Sequence, residues 1–125
     1  MSDLRIATTE NRKAFEPGEE VSGQVSWAFD KPPRALELRL FWFTRGKGTQ
    51  DAETTDMMRF ESPTRNDTRS FRFRLPEAPY GFSGKLISLI WGLELVVEPS
   101  KESARIELLV APGGKEIRLE SETNL

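Results

Sequence analysis

Apolar and polar residues alternate with a period of two in one segment after another along this chain, and nowhere does a period near 3.6 persist for three turns. The pattern predicts strands and no substantial helix. Leu4 and Ile6 alternate with Asp3 and Arg5, which marks a short first strand. Glu16-Pro17-Gly18-Glu19 follows as a type II turn, with proline pre-setting the second position and glycine taking the positive φ of the third. Val21, Gly23, Val25, Trp27 and Phe29 then share one face and Glu20, Ser22, Gln24 and Ser26 the other, until Asp30-Lys31-Pro32-Pro33 ends the strand. In 35–44, Leu36, Leu38, Leu40 and Trp42 lie opposite Glu37, Arg39, Phe41 and Phe43.

Beyond that strand, 45–49 is a glycine-supported reversal and 51–61 contains a more polar strand suited to a sheet edge. Residues 62–67 have loop composition. Phe71, Phe73 and Leu75 alternate with Ser70, Arg72 and Arg74, and 76–84 is an irregular crossing rich in proline and glycine. The clearest core face is Ile87, Leu89, Trp91, Leu93, Leu95 and Val97, followed by Ile106, Leu108 and Val110 and a last short strand around Ile117 and Leu119. Eight or so strands at this spacing predict an all-β, antiparallel two-sheet β-sandwich. The expected domain is 1–119, with 120–125 a frayed tail.

Composition narrows the chemistry. The 125 residues include no cysteine and no histidine, which excludes disulfides, thiolate sites, imidazole bases and nitrogen-ligated zinc or copper. Carboxylate, lysine, hydroxyl and single-tyrosine chemistry remain, so an enzyme is not expected and neither is a cofactor. With 18 basic and 20 acidic side chains, bulk electrostatics speaks against nucleic-acid binding. The opening residues lack the basic and apolar regions of a leader, and the most apolar run, 86–97, is too short and too polar to span a bilayer. A cytoplasmic location without membrane insertion is the expectation.

Three stretches in order carry a family resemblance: 15–25, with Pro17-Gly18-Glu19 and Val21-Ser22-Gly23-Gln24-Val25; the strand from Leu36 to Trp42; and Leu75-Pro76 with Tyr80-Gly81-Phe82 leading into the long apolar strand. Over 1 to about 112 the chain resembles an arrestin-type N-terminal lobe of the small, bacterial kind. The resemblance implies a non-catalytic scaffold or adaptor on a β-sandwich of arrestin-like or immunoglobulin-like form. It departs from that family in having room for one lobe rather than two. Neither the basic-acidic polar core of classical arrestins nor an amphipathic membrane helix can be placed, so binding of phosphorylated receptors does not carry over.

Several residue groups are candidates for function. Arg72 and Arg74, joined by Arg39 if its strand is adjacent, would form an anion-binding stripe, although alternation with Phe71 and Phe73 makes a solvated outer face the simpler reading. Gly46-Lys47-Gly48-Thr49 has phosphate-loop residues without the Walker spacing or a following helix, and reads as a turn. Asp51, Glu53 and Asp56 suit solvation better than calcium or carboxylate hydrolysis. Phe41 and Phe43 lie opposite Trp42, and Leu86 and Ile90 opposite Trp91, so both strands are apolar on two faces. Either these four form a patch for a protein partner or a second copy, or the proline-rich crossing with Tyr80 and Phe82 covers them locally. The function expected is a protein-interaction module acting through a sheet edge or that patch. A carbohydrate- or small-ligand-binding sandwich using Trp, Tyr80 and Phe82 is the first alternative, and a carboxylate-based hydrolase the second.

Overall fold

The period-two segments build two sheets that bury their apolar faces against each other. The computed structural model describes residues 3–46, 50–79, 82–83, 87–112 and 117–118. In chain order the elements are β1 (Asp3–Thr8), a 3-10 turn (Thr9–Asn11), β2 (Ala14–Phe15), β3 (Glu20–Ala28), β4 (Ala35–Gly46) and β5 (Ala52–Glu61). They continue with β6 (Asn66–Arg74), β7 (Phe82–Ser83), β8 (Ile87–Glu98), β9 (Ser103–Val110) and β10 (Ile117–Arg118).

The first sheet runs β1-β3-β6 and the second β10-β7-β8-β4-β5. One side of β8 is shared, by β7 at Ser88 and Leu89 and by β9 from Trp91 to Val96. All the long pairings are antiparallel; two-residue parallel contacts join β2 to β9 and β10 to β7. The loop after β5 carries the chain from the edge of the second sheet to β6, an edge of the first.

Alternation places Val21, Val25, Trp27, Phe71 and Phe73 of the first sheet against Leu36, Leu38, Leu40, Trp91, Leu93 and Leu95 of the second, all buried. Burial of each large side chain contributes on the order of 1.5–3 kcal/mol, offset by the entropy of ordering it. The two most buried indoles keep their N–H groups satisfied: Trp27 Nε1 donates to the Thr64 carbonyl at 2.9 Å and Trp91 Nε1 to that of Pro79 at 2.9 Å. The second bond draws segment 76–79 over one end of the core.

The turn before β3 has the predicted geometry, with Gly18 at φ +79° and the Glu19 N–H donating to the Glu16 carbonyl at 3.1 Å. Arg12 donates to Glu19 across the turn at 2.7 Å, and this bond, followed by the Glu16 backbone N–H, holds the Glu19 carboxyl below its usual range.

Tertiary pairing moved several boundaries. β6 begins at Asn66, inside the expected loop, because Asn66 and Asp67 complete the ladder opposite Ala28 and Trp27. β4 runs on to Gly46 because β8 offers partners that far, to Ile87. The two-residue β2 has no periodicity to announce it and exists through β9. Leu119 and the tail lie outside the described residues.

Candidate functional site

The outer face of the second sheet holds the aromatic pair singled out from the sequence. Phe41 stands opposite Gly92 and Phe43 opposite Ile90 across the β4–β8 ladder. Phe41 lies over the glycine: a Cβ at position 92 would come within 2.9 Å of the Phe41 ring tip and 2.9 Å of the Ile106 carbonyl. The two rings stack with centroids 5.8 Å apart at an interplanar angle of 21°. Arg105 of β9 reaches over both, 4.7 Å from the Phe41 centroid and 5.4 Å from that of Phe43, while Arg45 stands 5.3 Å from Phe43. Glu107 holds Arg45 at 2.8 Å and Glu94 holds Arg105 at 3.4 Å. Phe41 is left only 7% exposed, and Phe43 and Ile90 are half-buried.

Among the described residues, part of the cover on this face comes from its own sheet. Arginine stems and guanidiniums of the same sheet supply it, because a long cationic side chain can shield a ring and keep its charge in water. Leu86, Tyr80 and the side chain of Phe82 lie outside the described residues.

Further along the same face the charges close on one another. Glu37 accepts from Arg39 at 2.9 Å and from Arg59 at 2.7 Å; Arg59 also donates to Glu61. Glu98 meets Lys101 at 3.3 Å, Arg34 at 3.6 Å and Arg59 at 3.9 Å. The Lys101 hydrogen bond and charge, then Arg59 and Arg34, hold the Glu98 carboxyl below its ordinary 4.5.

Arg39 does not join Arg72 and Arg74. β4 and β6 belong to different sheets, so Arg39 shares no ladder with Arg72 or Arg74. Arg72 lies 3.6 Å from Glu20, and Arg74 donates to the Gly18 carbonyl at 2.9 Å. Residues Lys47, Gly48 and Thr49 of the expected reversal are outside the described residues. No group of three or more acidic side chains is arranged to hold a metal ion among the described residues, so Asp51, Glu53 and Asp56 do not form a calcium cage there.

A different grouping, not anticipated from the sequence, lies at the edge. A groove of about 430 Å³ opens between the first half of β5 and segment 76–79, lined by Trp42, Glu53, Asp56, Arg74, Pro76 and Pro79 among others. A β-bulge creates it. Leu40 pairs with Asp56 but Phe41 pairs with Thr54, leaving Thr55 as the extra residue. Glu53 and Asp56, three apart, would face opposite sides of a regular strand; the bulge brings both to the side of Trp42. Thr55 anchors the bulge through its hydroxyl, which donates to the Leu40 carbonyl at 3.3 Å. No signal of the bulge is present in the sequence, which is why these acids were not connected with the tryptophan.

Together these features define an all-β, antiparallel two-sheet sandwich of the arrestin-like or immunoglobulin-like architecture. No family model matches the chain, and no curated protein matches it in sequence. Among solved structures it is similar to Spo0M, a sporulation control protein from Bacillus subtilis, with a TM-score of 0.60 and 18% identity over 88% of this chain and 49% of that one. The chain thus spans about half the length of Spo0M. A β-glucosidase from Listeria innocua, in complex with isofagomine, matches with a TM-score of 0.51 and 11% identity over 93% of this chain and 17% of that one. A mutant of the same enzyme, in complex with laminaribiose, gives 0.51 and 11% over 94% and 16%. At such identities the likeness is one of fold.

Proposed function

We propose that this chain is a non-catalytic interaction module, a distant arrestin-like sandwich formed by 1–119 and working in the cytoplasm, which binds a protein partner along the open edge of β5. The carrying observation is that edge. β5 is ten residues long, is hydrogen-bonded on one side only among the described residues, and exposes Met57 by 53%, the one large apolar side chain in that state among them. An unpaired strand edge offers a row of N–H and C=O groups to an incoming strand, and main-chain pairing of this kind is a recurrent mode of peptide recognition. The alternative surface, the Phe41 and Phe43 face, is already covered by Arg105 and Arg45.

The groove beside β5 keeps a ligand-binding sandwich as the second reading, since an indole and two carboxylates line it. A hydrolase is less favoured, because a general acid is normally set in apolar surroundings and Glu53 and Asp56 are both exposed. The glucosidase likeness supports architecture alone, being confined to about a sixth of that chain. The test is site-specific photo-crosslinking in cells of the native organism, with the reactive side chain at position 57 or, as a control, at position 72 on the opposite sheet. A discrete protein adduct from position 57 alone is the expected result. Adducts from neither position, or equally from both, would remove the edge as the binding surface.

A further inference from the structure

The groove at the first half of β5 holds two carboxylates that form no ion pair among the described residues. Among the carboxylates of β4, β5 and β8, Glu37, Glu61, Glu94 and Glu98 each have a cation within 4 Å. Glu53 and Asp56 form no ion pair among the described residues, and Asp56 only accepts the N–H of its neighbour Met57, at 2.8 Å. Asp51 adds a third negative charge directly before the strand. Arg74, the one cation lining the groove among the described residues, donates to the Gly18 carbonyl at 2.9 Å and pairs with neither acid. Pro76, Pro79 and the half-buried ring of Trp42, the cross-strand neighbour of Glu53, add apolar surface to the groove.

Edge, apolar surface and charge suit one kind of occupant. A strand laid along β5 would place alternate side chains on the same side, so that one row enters the groove between the sheets. Uncompensated carboxylates at its mouth favour lysine or arginine there, and long basic side chains can lay their methylene stems against Trp42 and the prolines. We infer that the partner segment is an extended peptide with basic side chains at alternate positions, paired to β5 from Ala52 to Thr54, up to the bulge, with those side chains in the Trp42 groove. This rests on the edge reading above and adds the partner's chemistry to it.

The test is an NMR titration of the 15N-labelled chain with two acetylated seven-residue peptides, one alternating lysine with valine and one alternating glutamate with valine, and separately with cellotetraose. The expected result is that the lysine peptide shifts the amides of 52–56 and the Trp42 indole signal, binding at least tenfold more tightly than the glutamate peptide. Substituting Glu53→Gln and Asp56→Asn should cut that preference to less than threefold, and Glu53→Lys with Asp56→Lys should reverse it. These side chains are exposed, and an otherwise unchanged spectrum of each variant confirms its fold. Equal shifts of β5 amides by both peptides would leave the edge reading standing and overturn the basic preference. Silence of β5 with both peptides would overturn the edge reading itself. A Trp42 response to cellotetraose alone would replace the peptide by a glycan.

Discussion

The outer face of the second sheet and the groove at its β5 edge lie side by side on one scaffold, yet they treat their charges in opposite ways. On the face, arginines cover Phe41 and Phe43 and are themselves held by Glu94 and Glu107, while Glu37, Glu98 and their cations form a second closed group. At the groove, Glu53 and Asp56 stand beside an indole and, among the described residues, form no ion pair, although Arg74 shares the lining. The difference separates stability from recognition: groups that satisfy one another hold the sheet together, whereas groups left unanswered cost the fold little and remain available to something else.

The strongest way to break this contrast is on the covered face. Phe41→Ala removes a ring packed between Gly92, Phe43 and Arg105, and should cost about 3 kcal/mol in urea unfolding. A loss below about 1 kcal/mol would mean that the ring is not a structural part of the sheet. Glu37→Gln removes the negative charge shared by Arg39 and Arg59 and one of the two oxygens that accept from them. Both cations are partly in water, so the expected loss is about 1 kcal/mol, shrinking in high salt. Double-mutant cycles with Arg59→Met would isolate that coupling.

Acid titration sharpens the same point. Glu98 has a depressed folded-state value, so its contribution is present above about pH 4.5 and is lost as pH falls through that lower value. Stability followed from pH 6 to pH 3 should therefore decline less steeply in Glu98→Gln than in the parent. A parallel decline would show that Glu98 is not a source of the acid sensitivity. The smallest effect belongs to the groove: Glu53→Gln with Asp56→Asn should alter unfolding free energy by less than about 0.5 kcal/mol. A loss comparable to that of Glu37→Gln would place these acids among the structural ones.

Much of the sandwich was legible because short-range chemistry dictates it. Pro17-Gly18 had to turn, and Leu36, Leu38 and Leu40 or Leu93 and Leu95 had to share a face whatever they packed against. What the sequence does not carry is register between distant strands. Arg105 reaches Phe41 only because Arg105 pairs with Glu94 and Phe41 with Gly92 in adjoining ladders. Likewise, the grouping of Arg39 with Arg72 and Arg74 depended on sheet membership, which alternation within a strand cannot express. The groove needed a still finer fact, the single unpaired residue Thr55, before Glu53 and Asp56 could share a side.

That bulge also bears on how the edge could meet a copy of itself. An uninterrupted ten-residue edge would be a template for endless stacking, strand on strand, as in a fibril. Thr55 divides β5 into two short runs whose donors and acceptors are out of step, so a straight strand can match one run but not both. The same insertion that puts two acids on the side of a tryptophan thus makes the edge a poorer template for a continuous sheet than a regular ten-residue strand would be.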